Sequence, residues 1–400
     1  MKHISIKDFT YTLPHEKIAE FPLDQRDASR LLVYKEGVIS DDQFANLPGF
    51  LHEGQTLVLN NTRVMEARIF FQKPTGGLIE IFCLEPYENN VETALAQTGH
   101  VYYKCFIGGA SKWKKGQVLQ KSLNEEATAT LEARYVDKLG DSFVIRFDWT
   151  PPHLSFADVL QKAGAIPLPP YIKRNVSPQD AERYQTVFNK ETGSVAAPTA
   201  ALHFTPQVLQ HLSEKKVGIS YVTLHVGAGT FKPVKSETIG EHQMHSEPFS
   251  ITRHSLQQVL DAKEIIAVGT TSLRTLESLY WMGIKLMNGL QDAWYLEQWE
   301  AYELTDKMIS YRDSFGGIFH WMASNCVSEI KCRTSLIIVP GYSFRVSKGL
   351  VTNFHQPGST LLLLVAAFVK NDWKKIYEHA LAHDYRFLSY GDSSLLWRQD

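Results

Sequence analysis

The strongest constraint on the fold is a change of hydrophobic period that begins near Val64 and reverses near Thr150. Between those points "LIEIFCLEP", "ATATLEARYV" and "SFVIRFDW" are short β-rich runs separated by Gly, Asn or Lys turns. In the last of them Phe143, Ile145, Phe147 and Trp149 alternate with Val144, Arg146 and Asp148. That is the period of a strand with one face more deeply buried. A block of such strands suggests a small barrel. Outside the block the pattern is mixed. "QTLVLNNTR", "GISYVTLHV", "EIIAVGTT" and "TSLIIVPGY" read as buried strands. "SLRTLESLYWM" and "KKIYEHALAHD" read as helices, and Asp41 to Leu51 as a short helix with an acidic start. The expectation is an α/β domain at 1–63 and 151–400, with Gln55 to Leu59 as its first strand, interrupted at 64–150 by an all-β domain.

Composition narrows the function. A chain of 400 residues has room for two domains, or for one large domain with an insertion. Its formal net charge of −2 means that a polyanion must be met by a local patch. Cys83, Cys105, Cys326 and Cys332 have neither metal nor redox spacing and read as reduced thiols of a cytoplasmic protein. The start "MKHISIKDFTYTLP" lacks the apolar core of a signal peptide. The longest apolar run, Leu361 to Val369, is about half the length that spans a bilayer. It reads as a buried helix, and no membrane partner is expected.

The apolar strands share a habit of running directly into polar turns. Leu59 leads to Asn60, Asn61, Thr62 and Arg63; Leu224 leads to His225, then Gly227, Gly229 and Thr230. Val268 leads to Thr270, Thr271, Ser272 and Arg274, and "GLVTNFH" to Asn353 and His355. In α/β proteins ligands sit outside the carboxyl ends of strands, so these turns are expected to build one polar pocket. Taken singly, each reads equally well as a turn or cap residue.

Other motifs are weaker. "GAGTF" lacks the remainder of a dinucleotide fingerprint. His242 and His245 have ligand-like spacing but no third ligand, so no metal is expected. "TTSLRTLE" opens a helix with Thr270 or Thr271 as cap, and a helix start can hold a carboxylate or phosphate. Lys112, Trp113, Lys114 and Lys115, and separately Lys173 and Arg174, are candidate nucleic-acid contacts by charge and stacking, or else solvated turns.

In order along the chain, "LNNTRVMEARI", "IPLPPYIKR", "DAERYQTVFNKETGSVAAPTAALHFT", "VTLHVGAGTFKPV", "AVGTTSLRTLES", "PGYSF", "TNFHQPGSTLLLLVAAF" and "YRFLSYGD" resemble the S-adenosylmethionine:tRNA ribosyltransferase-isomerase family of queuosine biosynthesis. The resemblance implies a barrel-like mixed α/β domain carrying an inserted small β-barrel. It also implies transfer and isomerisation of the ribosyl part of S-adenosylmethionine onto 7-aminomethyl-7-deazaguanine in a tRNA anticodon, with loss of adenine and methionine. S-adenosylmethionine is then a substrate, no cofactor is called for, and the tRNA anticodon loop is the partner of a monomeric enzyme. Such chemistry needs a base beside the sulfonium carbon and a dry pocket for a flat nucleobase. Under the resemblance His203, His225 and His355 become proton-transfer candidates. Arg63 and Arg274 become partners for a carboxylate or phosphate, and Asp392 a group that orients a histidine or a ribose hydroxyl. "GSVAAPTAALHF" becomes either a wall for a nucleobase, with Pro198, Thr199 and His203 in contact, or a tight packing turn.

Several positions depart from the family pattern. Asn61 stands where the family has Asp, and Gln356, Pro357 and Gly358 replace Leu-Pro-Lys. An extra segment at 288–331 is aromatic and acidic. If it is helical, Tyr295, Trp299 and Tyr302 share one face. These departures leave open a relative that uses another acceptor, or a protein that binds tRNA or a nucleoside without turnover.

Overall fold

The computed structural model describes residues 1–227, 236–304 and 309–399. Strand Gln55–Asn60 is buried at every position, as a strand covered on both faces must be. It pairs in parallel with Gly218–Leu224 on one side and Glu264–Val268 on the other. Glu264–Val268 pairs in parallel with Ser347–Asn353. These four strands are the middle of a ten-stranded mixed sheet. Ser393–Trp397, Arg30–Lys35 and Val38–Gln43 continue it to one edge; Glu247–Thr252, Glu329–Thr334 and Tyr295–Leu296 continue it to the other. Helices Thr270–Met287 and Thr360–Val369 cover it, the second buried from Leu362 onward. Among the described residues no helix is long and apolar enough to cross a membrane.

Several local expectations are corrected. The first strand of this sheet is Arg30–Lys35, whose buried Leu31 to Tyr34 pair in parallel with Ser393–Trp397. Asp41 to Gln43 belong to an antiparallel strand, and only Phe44–Phe50 is helical, as a 3-10 turn. "TSLIIVPGY" leaves the sheet after Thr334. Its next amides are held elsewhere: Leu336 N–H by Thr334 Oγ1 at 3.0 Å, Ile337 N–H by the Gln298 carbonyl at 3.2 Å and Val339 N–H by Tyr302 Oη at 3.2 Å. The extra segment is not one helix through Tyr295, Trp299 and Tyr302. Tyr295 edges the sheet beside Arg333, Trp299 precedes a 3-10 turn at Glu300–Tyr302, and the α-helix comes later, at Tyr311–Ser324.

The inserted β unit is a seven-stranded antiparallel sheet that curls until its two ends meet. Lys121, on end strand Val118–Ser122, donates through Nζ to the Phe70 carbonyl at 3.2 Å on strand Arg68–Gln72. Ile145, Phe147 and Trp149 point inward as the alternation requires. Val144 is buried as well, because a bulge shifts the register after it. Helix Phe156–Ala163 closes this core, its start fixed by a reciprocal Ser155–Asp158 capping box. Glu191–Ser194 pairs in parallel with Thr62–Val64 as a separate two-stranded sheet that follows strand Gln55–Asn60.

Candidate active site

The four central strands are parallel, so Asn60, Leu224, Val268 and Asn353 all end at the same edge of the sheet. A cavity of about 100 Å³ lies there. Ala196, Ala197, Pro198, Thr199 and Ala200 form one wall. Gly269, Thr270 and Thr271 form another, and Thr352, Asn353 and His355 a third. The small-residue stretch is therefore a smooth cavity wall. Ser194 Oγ fixes its backbone, donating to the Ala196 carbonyl at 2.6 Å and accepting from Val226 N–H at 3.0 Å.

Helix Thr270–Met287 points its amino end at this cavity. Gly269 is its cap, with φ 87° and no side-chain cap bond, so neither threonine caps it. The first amide hydrogens of such a helix have no partner within it and favour an anion. His355 Nε2 is 2.9 Å from Thr352 Oγ1, and its Nδ1 has no hydrogen bond among the described residues. Burial lowers its pKa to about 4, so the imidazole is neutral and able to accept a proton at pH 7. Asn353 Nδ2 donates to the Leu388 carbonyl at 2.9 Å.

His203 stands behind the wall. Its Nδ1 lies 2.8 Å from Ser29 Oγ, and it faces a small pocket with Arg26, Arg183 and Arg386. Burial lowers its pKa to about 4, against the pull of Asp392. Asn353 is near enough to favour its charged form, yet neither Asn353 Oδ1 nor His203 Nε2 makes a well-formed hydrogen bond. Asp392 is buried and accepts from Arg30 N–H at 3.1 Å and Arg386 N–H at 2.8 Å, so it anchors backbone.

Other candidates make structural bonds or lie away from this cavity. Asn60 Oδ1 accepts from Thr62 and Leu224 amides, both at 3.1 Å, and its Nδ2 donates to the Leu224 carbonyl. Arg274 is buried in an ion pair with Glu247, and Ser272 is fully buried in the same helix. Thr62 and His225 bond each other at 2.9 Å beside a separate groove. Gly227 lies just beyond them, with nothing within 4 Å of a Cβ there among the described residues; Gly229 and Thr230 fall outside the described residues. Arg63 is exposed and lines none of these cavities. Trp113 is buried in the barrel core, its Nε1 donating to the Gln117 carbonyl at 2.9 Å, so it is no stacking platform. Lys112, Lys114 and Lys115 remain exposed around it, as does Lys173. Arg174 is committed to Asp180 through two 2.7 Å bonds.

Sequence reasoning missed Tyr171, Tyr184, Phe354, Gln356 and Ser389, which also line the cavity. Tyr171 and Ser389 bond each other at 2.6 Å. "PPYIKR" drew notice for its cations and "LSYGD" for its aspartate, when the cavity takes the tyrosine of one and a serine of the other. Among the described residues no three His, Cys, Asp or Glu side chains are grouped to hold a metal.

A polar cavity at the carboxyl edge of parallel strands, beside a helix start and a neutral imidazole, defines an α/β enzyme whose substrate binds at the strand ends. Residues 6–396 match the family described as Queuosine biosynthesis protein, and the chain belongs to it. A relative from Azoarcus sp. (strain BH72), called S-adenosylmethionine:tRNA ribosyltransferase-isomerase, is 38% identical over 402 residues, covering 99% of each chain. One of the same name from Psychrobacter sp. (strain PRwf-1) is 37% identical over 411 residues, covering 99% of this chain and 93% of the relative. The crystal structure of an S-adenosylmethionine tRNA ribosyltransferase from Thermotoga maritima is 27% identical, covering 97% of this chain and 99% of that one, with a TM-score of 0.46.

Proposed function

We infer that the chain is an S-adenosylmethionine:tRNA ribosyltransferase-isomerase. It moves the ribosyl unit of S-adenosylmethionine onto 7-aminomethyl-7-deazaguanine in a tRNA anticodon and releases adenine and methionine. At the level of the site, the observation that carries the reading is the strand-end cavity with its alanine wall and His355. The wall lets a flat base approach the backbone closely. The start of helix Thr270–Met287 takes the donor's carboxylate, a role expected from the sequence of Arg63 or Arg274. His355 takes the proton from the carbon next to the sulfonium, whose positive charge acidifies it.

Of the departures from the family pattern, Gln356 lines this cavity, while Asn61 and Gly358 do not. Asn61 Oδ1 accepts from Thr223 Oγ1 at 2.7 Å, and Asn61 does not line the cavity. Gly358 has φ 65° and donates its N–H to the Phe9 carbonyl at 2.9 Å, which is a turn role. The exposed lysines at 112, 114, 115 and 173 are the available contacts for tRNA phosphates.

The test is adenine and methionine release from S-adenosylmethionine, with and without tRNA carrying the aminomethyl base. Release of both only with that tRNA is expected. Donor binding without release on that tRNA would point to another acceptor.

A further inference from the structure

A second cavity shares a wall with the first. Glu191 and Thr192 line a groove of about 710 Å³, while Ala196 to Ala200 of the same stretch line the donor cavity. On the neighbouring segment His225 faces the groove and Val226 faces the cavity. Val195 N–H donates to the Val226 carbonyl at 3.1 Å, holding the two stretches together.

Neighbouring groups fix the protonation of His225. Thr62 Oγ1 donates to the Glu191 carbonyl at 3.3 Å and lies 2.9 Å from His225 Nδ1. A hydroxyl has one proton and a carbonyl only accepts. With that bond made, Thr62 accepts from His225, whose hydrogen is then on Nδ1 and whose lone pair is on Nε2. A Cβ on Gly193 would fall 2.8 Å from both Nδ1 and Cε1, so that edge of the ring is packed against the wall. Nε2 has no partner among the described residues.

The charged groups around the groove come from four elements. Glu92 lies on helix Val91–Ala96 and is paired with Lys331 of strand Glu329–Thr334 at 2.7 Å. Glu191 adjoins Thr62 and has no ion pair among the described residues. Glu329, Arg253 and His254 complete the groove. Burial lowers the His225 pKa, opposed by Glu92 and reinforced by Lys331, so the ring is neutral at pH 7. The groove thus sets three carboxylates against Arg253 and Lys331, a small excess of negative charge beside one oriented base.

We propose that this groove receives the protonated aminomethyl group of the acceptor base, and that His225 Nε2 takes its proton. The proposal rests on the reaction assigned above. The N–H bond breaks toward Nε2, the freed nitrogen lone pair forms the carbon–nitrogen bond to the ribosyl unit, the electron pair displaced there departs with the reaction's leaving groups, adenine and methionine, and the alkylated nitrogen sheds its second proton to solvent. The imidazolium then returns its proton to solvent. Two histidines divide the work across the shared wall, His355 on the donor side and His225 on the acceptor side.

The experiment compares wild type and His225→Gln in tRNA-dependent adenine release from pH 6.5 to 10, with S-adenosylmethionine binding measured separately. The variant is expected to lose roughly 10²- to 10³-fold in kcat/KM for tRNA at pH 7 and to keep donor affinity. The deficit should shrink as the acceptor amine sheds its own proton near pH ~10, and imidazole should restore part of the activity of His225→Ala. Glu191→Gln should raise KM for tRNA several-fold with kcat little changed. A deficit equal at every pH, or donor affinity lost in step with activity, overturns the proposal. If the His225 variants do not fold, an unchanged KM in Glu191→Gln overturns it. A wild type inert on this tRNA overturns the assigned reaction itself; an active wild type whose folded His225→Gln form keeps full turnover overturns only the groove.

Discussion

Replacing Arg174 by alanine separates a nucleic-acid contact from a structural one. The Asp180 side chain is 2% exposed, and Arg174 meets it with two bonds of 2.7 Å. Asp180 also accepts from Ser177 N–H at 2.7 Å and Tyr390 Oη at 2.9 Å. Burial resists ionisation of Asp180, but Arg174, Ser177 and Tyr390 overcome it and pull its pKa from 3.8 down to about 2. That drop corresponds to roughly 2 kcal/mol, allowing for solvent at the Arg174 edge. Stranding a buried charge costs about 3–5 kcal/mol in comparable pairs. With ~2 cal/mol/K of unfolding entropy per residue over about 300 residues, Arg174→Ala should lower the Tm by about 3–8 °C. Because the carboxyl is depressed, its stabilisation is complete above about pH 4 and is lost as pH falls toward 2. The urea midpoints of wild type and variant should therefore converge in acid. Binding of tRNA at two salt concentrations supplies the contrast. An unchanged Tm with a salt slope reduced by ~1 would make Arg174 a phosphate contact and refute the structural reading.

Further outcomes follow from the same geometry. Trp113→Ala should cost about 3–5 kcal/mol in barrel stability, whereas Lys114→Ala with Lys115→Ala should leave the Tm alone and weaken tRNA binding with a shallower salt slope; a melt and a titration distinguish them. His203 and His355 both titrate at about 4 when folded, against 6.5 for a free imidazole. The unfolded chain therefore binds protons first, and stability should be full above about pH 6.5 and decline toward pH 4; His203→Asn should flatten that decline in urea midpoints. Gly193→Ala should push its Cβ into the His225 ring, costing about 1–3 kcal/mol and tRNA-dependent turnover while sparing donor binding by calorimetry.

Much of the fold was legible because its signals are periodic. The apolar run of Leu361 to Val369 is buried from Leu362 onward, and the alternation of Phe143 to Trp149 holds from Ile145 to Trp149, with Val144 buried beside the bulge. The misreadings fall where another part of the chain supplies the hydrogen bonds. Leu336 to Val339 are as apolar as a strand, but their amides go to Thr334, Gln298 and Tyr302. Tyr295, Trp299 and Tyr302 carry helical spacing, yet Tyr295 is taken by the edge of the sheet beside Arg333. Competition for backbone partners at long range leaves no local mark in a sequence.

The site divides along a similar line. Polar residues at strand ends were expected to build one pocket; the parallel order of four strands brings the strand ends to one edge, but the side chains divide between two cavities. Which of them meet substrate was not legible. Asn60 and Asn353 are the same residue type at the ends of two parallel strands, with opposite fates. Asn60 uses its carbonyl oxygen twice and its amide nitrogen once to hold Thr62 and Leu224. Asn353 bonds through its nitrogen, leaves Oδ1 without a well-formed partner, and lines the cavity. A buried polar atom without a partner costs folding free energy. The group nearest to completing that bond is His203 behind the wall, so Asn353 ties the cavity rim to the histidine behind it, and that distinction exists only once the chain is folded.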